Sequence, residues 1–75
     1  MSLPSYLTPD RFLADLFAAK AARQGGVIRR KRRDIERFIG LDPFLADMRR
    51  RGFSVVENAG HLVIFCNREP LRRLT

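Results

Sequence analysis

The chain has 75 residues, which leaves room for one small domain and excludes large enzyme folds. Hydrophobic residues make up 45% and charged residues 31%, a balance typical of a globular domain and not of a disordered segment. A formal charge of +7, from 15 Lys and Arg against 8 Asp and Glu, predicts a nucleic acid or another polyanion as the partner.

Residues 1–8 are predicted to be a leader that precedes the domain. This segment lacks the long apolar core of a secretory signal, and no stretch approaches the roughly 18 apolar residues of a membrane span. The single cysteine, Cys66, cannot form an internal disulfide. We therefore expect a cytoplasmic protein without a membrane partner.

The first predicted element is a helix over residues 9–24. Thr8 is a suitable N-terminal cap, and Pro9 suits the first helical position. Gly25 and Gly26 end the helix. Its apolar residues recur at helical spacing and are Phe12, Leu13, Leu16 and Phe17.

A short strand is predicted next, because Val27 and Ile28 begin a β-branched stretch that runs into five consecutive bases at residues 29–33. A helix of barely two turns follows, with Asp34 as a possible cap and Gly40 as its end.

A third helix begins almost at once. Asp42 is the predicted cap, Pro43 occupies the first helical position, and Gly52 ends the helix. Two short helices joined by about two residues are typical of a helix-turn-helix, whose turn is usually slightly longer.

Two strands at residues 53–57 and 61–66 are predicted to form a hairpin around Gly60. The second strand is apolar on both faces, so we expect it to be central in the sheet or covered on both sides. His61 and Cys66 lie five positions apart on this strand and should point to opposite faces.

The order of elements over residues 9–67 resembles the winged helix-turn-helix family, in which the last strand lies between the first strand and its hairpin partner. The resemblance implies an α+β domain with three helices packed on a short antiparallel β-sheet, in the order α-β-α-α-β-β. Residues 68–75 would then be a basic C-terminal tail. Short basic winged-helix domains commonly bind DNA, so the resemblance also implies a nucleic-acid partner.

Two clusters of consecutive bases are the candidate nucleic-acid contacts. The basic run is Arg29, Arg30, Lys31, Arg32 and Arg33, and the arginine triplet is Arg49, Arg50 and Arg51. The basic run outnumbers its nearby acids, Asp34 and Glu36, so several of its side chains must face solvent or a polyanion. The helix positions that would read bases include Asp42 and Asp47, so we expect phosphate contact and not sequence readout. The alternative for both clusters is a solvated surface, and the triplet would also complement the C-terminus of its helix.

No cofactor, metal or catalytic site is predicted from the residues themselves. One His and one Cys cannot form a zinc site alone, and the chain has no glycine-rich phosphate loop. All six phenylalanines occupy predicted core positions, which leaves only Tyr6 to stack on bases. We therefore expect a non-catalytic binding domain.

A protein-interaction module, such as a homodimer, is the alternative function. Small domains often need association to bury enough surface, and the apolar last strand or the tail residues Leu71 and Leu74 would supply the contact.

Two local resemblances concern the end of the chain. Gly52 and Phe53, followed eight residues later by Gly60 and His61, are similar to the helix-then-hairpin core of HicA-type messenger-RNA interferase toxins. That likeness implies an RNA-cleaving toxin with His61 as its catalytic residue. Residues 52–70 also look like short bacterial proteins associated with the name phosphoribosylanthranilate isomerase, a TIM barrel that typically needs about 250 residues.

Overall fold

The computed structural model describes residues 8–75, which form four helices and one three-stranded antiparallel sheet. The helices are α1 (Pro9–Ala18), α2 (Lys20–Arg23), α3 (Arg32–Phe38) and α4 (Leu41–Arg51), and the strands are β1 (Val27–Lys31), β2 (Ser54–Asn58) and β3 (His61–Phe65). The predicted α+β layout is confirmed, with the first helix in two parts. Residues 1–7 of the predicted leader, including Tyr6, lie outside the described residues.

The single helix predicted over residues 9–24 is two helices because the chain turns at Ala19. Thr8 caps α1 as predicted, and its hydroxyl oxygen accepts a hydrogen bond from the Arg11 backbone N–H at 3.3 Å. Ala19 has φ −57° and ψ 143°, an extended conformation that ends α1. After the turn, Gly26 N–H donates to the Ala21 carbonyl oxygen at 2.7 Å, which fixes the entry to β1. The break thus falls among alanines, whose helix propensity is the highest of all residues.

The next two helices begin earlier than predicted, and neither Asp34 nor Asp42 is a cap. α3 follows Lys31 and α4 follows Gly40, and neither of these residues makes a side-chain cap bond. Gly40 has φ +98°, a conformation that glycine adopts most readily. Both aspartates therefore lie in the first turn of a helix, near the positive end of its dipole.

The strand order is β1-β3-β2, which confirms that the last strand is central. Both neighbours pair with β3 in antiparallel register, so that Lys31, His61 and Asn58 form one row at the end of the sheet. Only Ala59 and Gly60 separate the hairpin strands. Their φ values of +50° and +76° are those of a type I′ turn, the hairpin turn whose twist matches that of the strands.

The helices cover one face of this sheet. The buried core is Leu16, Ile28, Ile35, Phe44, Met48, Leu62, Ile64 and Cys66. His61 alternates to the opposite face, so the predicted separation of His61 from Cys66 is confirmed. On that opposite face Val27 and Val56 are 49% and 41% exposed. We call it the open face; its residues are Val27, Arg29, Lys31, Ser54, Val56, Asn58, His61, Val63 and Phe65.

Candidate nucleic-acid interface

The basic run and the arginine triplet lie at opposite ends of the sheet. Lys31 of the basic run is in the row next to the hairpin turn. The triplet ends α4, and two residues separate it from Ser54, which pairs with Phe65 at the other end. The two ends are four residue steps of strand apart, roughly 13 Å. The structure therefore does not bring the predicted contacts together on one surface.

Three side chains of the basic run are free within the part of the chain that the structure describes. Arg29, Lys31 and Arg33 are exposed, and none makes an ion pair or a side-chain hydrogen bond with residues 8–75. Arg30 is half-buried, and its Nη1 donates to the Arg29 carbonyl oxygen at 2.7 Å. Arg29, Lys31 and Arg33 are thus the three cations of the run that are exposed and make no side-chain hydrogen bond or ion pair with residues 8–75.

The fifth residue, Arg32, is held by two glutamates. Its Nε donates to Glu36 Oε1 at 2.7 Å, and its Nη1 donates to Glu57 Oε1 at 3.0 Å. The hydrogen bonds to Glu36 and then to Glu57 raise the pKa of Arg32. The backbone N–H of Arg32 also donates to the Gly60 carbonyl oxygen at 2.9 Å. Arg32 therefore joins α3 to the hairpin, and its charge is matched by carboxylates.

A shallow cleft of about 460 Å³ lies between the start of α3 and the hairpin turn. The side chains that line it are Lys31, Arg32, Arg33, Glu36 and His61. Of the described residues that line the cleft, only Glu36 has a carboxylate, and Arg32 already engages it. An anion in the cleft would therefore meet the unneutralised charges of Lys31 and Arg33.

His61 completes this cleft. Its Nδ1 lies 3.2 Å from the Ala59 carbonyl oxygen, so the hydrogen bond assigns a proton to Nδ1 and leaves Nε2 for a ligand. The sequence indicated His61 only through the toxin resemblance. Its position beside Lys31 depends on the pairing of β1 with β3, which the residue pattern of one strand cannot reveal.

The arginine triplet, by contrast, is engaged by Asp47. Arg51 Nε donates to Asp47 Oδ2 at 2.8 Å, and Arg50 donates to the other carboxylate oxygen. Burial would raise the pKa of Asp47, but the hydrogen bonds and charges of Arg51 and Arg50 outweigh it and lower that pKa. The Arg51 guanidinium also lies 4.4 Å from the centre of the Phe17 ring on α1. Among residues 8–75, Arg49 alone of the triplet has no side-chain partner.

The basic run continues onto the open face of the sheet. Arg29 is paired with Val63 in the row next to that of Lys31 and His61. Among the nine residues of this face none is acidic. Phe65 also lies here, half-buried and outside the core, so the prediction that all six phenylalanines are core residues is wrong. The pattern of β3 showed a central strand but could not show which of its faces the helices cover.

Comparisons with protein-family models, with curated proteins and with solved structures give no significant match. No helix within residues 8–75 has both the length and the apolar character needed to cross a membrane. In the same residues, no three His, Cys, Asp or Glu side chains are grouped so as to hold a metal ion. Cys66 is buried, and burial raises the pKa of its thiol. The candidate site therefore consists of the free cations Arg29, Lys31 and Arg33 and the adjoining open face of the sheet.

Proposed function

We propose that this protein binds nucleic acid through phosphate contacts made by Arg29, Lys31 and Arg33, and that it is not an enzyme. The observation that carries the proposal is that these three exposed cations have no acidic partner in residues 8–75. Two of them, Lys31 and Arg33, also line the cleft, where Glu36, the one carboxylate among the described lining residues, is engaged by Arg32. Hydrogen bonds between such cations and phosphate oxygens are among the strong ones in proteins.

The spacing of the free cations supports contact with a backbone. Arg29 and Lys31 are two residues apart on β1, so their side chains leave the same face about 6.7 Å from one another. Arg33 follows in the first turn of α3. A row of cations at this spacing can contact successive phosphates of an extended strand. Such contacts release counterions, and the affinity then falls steeply with salt.

The strand order β1-β3-β2 supports a winged-helix-like architecture for this proposal, with the turn at Ala59 and Gly60 as the wing. α4 would then be the recognition helix. Its exposed N-terminal residues are Asp42, Pro43 and Ala46, which offer a base edge neither a cation nor an amide. Backbone contact by the basic run therefore fits this fold better than groove reading by α4. A cytoplasmic location belongs to the same proposal.

The test is the salt dependence of affinity for DNA and RNA oligonucleotides, measured for the wild type and for R29Q/K31Q/R33Q. We expect the wild type to bind at low salt with a steep log–log slope. If all three phosphate contacts are lost, the slope should fall by about 2, at roughly 0.7 per contact on a single strand.

The matched control is R23Q/R49Q/R72Q, which removes the same charge from three exposed arginines that make no ion pair with residues 8–75. We expect this variant to keep most of the wild-type slope. Equal losses in the two variants would show that only net charge matters and would remove the proposed site. Absence of binding at low salt would remove the function itself.

A further inference from the structure

The open face gives the candidate site a second kind of surface. Lys31 and His61 lie at one end of this face, Arg29 lies in its middle row, and Phe65 lies at the other end. We propose that the ligand is single-stranded nucleic acid. Its phosphate backbone follows the basic side chains, and one of its unpaired nucleobases stacks on Phe65. This inference rests on the proposed function and adds the class of nucleic acid that the site takes.

The sheet register sets the distances between these groups. Phe65 pairs with Val27, and Val63 in the next row pairs with Arg29. Adjacent strands are about 4.8 Å apart, and successive rows of one face are about 6.7 Å apart. The long side chain of Arg29 therefore spans the distance to the phosphate of a nucleotide whose base lies on the Phe65 ring.

The apolar part of the face is suited to a flat ring. Val27 and Val56, at 49% and 41% exposure, flank Phe65 and Val63 on the central strand. None of these four side chains packs against the core. Aromatic side chains on an open sheet are a recurring platform for unpaired bases, because every base has a π-face to stack.

A duplex fits this surface poorly. The bases of a duplex are stacked on one another and are not available to a sheet residue, whereas those of a single strand can be splayed out. The element that would enter a major groove, α4, exposes Asp42 and Pro43 at its N-terminal end. Asp42 would repel the phosphates on either side of the groove.

Charge also argues against a second copy of the chain as the occupant. A symmetric dimer pairs the same patch on both subunits. This patch has two cations, Arg29 and Lys31, and no acid, so a copy has no carboxylate to offer them. Single-stranded nucleic acid supplies an anion and a flat ring in each repeating unit, which are the two features that the open face matches.

The test compares the affinities of wild type and F65V for an unpaired strand of about 10 nucleotides, prepared as DNA and as RNA, and for the corresponding duplexes. Loss of the stack should weaken single-strand binding by about 5- to 100-fold. Duplex binding should not change. F38V is the matched control, because the Phe38 ring stacks on Phe12 at 5.1 Å between centroids and Phe38 is not a residue of the open face. Thermal melts establish that both variants are folded at the assay temperature.

A second measurement uses the wild-type protein, so it does not depend on how F65V folds. An iodouracil-substituted strand crosslinks to an aromatic ring on which it stacks, and we expect mass spectrometry to locate the crosslink at Phe65. A crosslink confined to other residues would contradict the inference.

The outcomes separate this inference from the proposed function. If the wild type binds single-stranded DNA or RNA more tightly than the duplex, and F65V loses this preference, both the inference and the proposed function are supported. If the wild type binds duplex as tightly as single strands, or if F65V and F38V change single-strand affinity equally, stacking on Phe65 is contradicted. The proposed phosphate contacts would then still stand. A protein that sediments as a dimer, and dissociates only in F65V, would make the open face a self-association surface. No binding of any oligonucleotide removes the proposed function and this inference together.

Discussion

The basic run and the arginine triplet are similar in sequence and differ in structure. Both consist of consecutive basic residues at one end of a predicted helix, and both are predicted phosphate contacts. In the triplet, Arg50 and Arg51 share the carboxylate of Asp47, which is only 13% exposed. In the basic run, Arg29, Lys31 and Arg33 have no carboxylate among residues 8–75. Two clusters of similar composition thus differ: Arg50 and Arg51 form ion pairs, whereas Arg29, Lys31 and Arg33 do not pair with residues 8–75.

The difference follows from secondary structure. Residues three and four apart on a helix are neighbours, so Asp47 in α4 is placed to meet Arg50 and Arg51. Arg32, in the first turn of α3, finds Glu36 in the same way. On a strand, the neighbours are instead the cross-strand residues, and those beside Arg29 and Lys31 carry no acid. Helical spacing therefore supplies carboxylate partners for Arg32, Arg50 and Arg51, whereas the cross-strand neighbours of Arg29 and Lys31 supply none.

Charge reversal should separate the two clusters most sharply. R49E/R50E/R51E replaces cations at the C-terminus of α4 by anions, opposes the helix dipole at three positions, and places two glutamates beside Asp47. We expect the free energy of unfolding to fall by about 3 kcal/mol. In a domain of this size the melting temperature should then fall by more than about 10 °C.

R29E/K31E/R33E is the comparison for that variant, because both substitutions lower the formal charge of +7 by the same amount. We expect its melting temperature to stay close to the wild-type value, since no ion pair with residues 8–75 is broken. Arg33→Glu also places an acid at the favourable end of α3. Nucleic-acid binding should be abolished. Equal destabilisation by the two reversals would show that the clusters have the same role.

Removal of the shared carboxylate should have a smaller effect. D47N keeps the shape of the side chain and removes the charge that holds Arg50 and Arg51, so we expect a loss of about 1 kcal/mol in unfolding free energy. D15N removes a carboxylate that pairs with Arg11 but is 59% exposed, and it should cost at most about 0.5 kcal/mol. Urea denaturation measures both. If D15N and D47N lower the free energy of unfolding equally, the ion pairs of Asp47 contribute no more to stability than an ordinary surface ion pair.

Much of the fold could be predicted because it depends on local signals. The cap at Thr8, the glycines at 40 and 52, and the apolar pattern of β3 led to the observed order of elements and to a central last strand. The break at Ala19 could not be predicted, since alanine favours helix and no glycine or proline marks the position. The starts of α3 and α4 were misplaced because good capping residues, Asp34 and Asp42, lie inside the first turns.

The candidate site could be predicted only in part. The sequence identified the basic run as a source of unpaired charge, but it did not identify Glu57 as a partner of Arg32, which lies 25 positions away. The pairing of Asp47 with the triplet was readable from the helical spacing. The meeting of Lys31 with His61, and the position of Phe65 on the open face, depend on sheet pairing and on which face the helices cover. Both are properties of the packed molecule.

Low pH should weaken the ion pairs of Asp47 with Arg50 and Arg51 and so lower the free energy of unfolding. It should not change the contribution of Arg29, Lys31 and Arg33. The pKa of Asp47 is lower in the folded protein than its ordinary value near 3.9, so the unfolded chain binds the proton more readily. The contribution of Asp47 is therefore fully present above about pH 4 and is lost as the pH falls through its lower folded pKa. Because the amide introduced by D47N does not titrate, the stability difference between wild type and D47N should shrink in that range.

R29Q/K31Q/R33Q should follow the wild-type curve, since those cations hold no carboxylate in residues 8–75. Parallel curves for wild type and D47N down to about pH 2 would contradict the assignment of Asp47 as the titrating anchor.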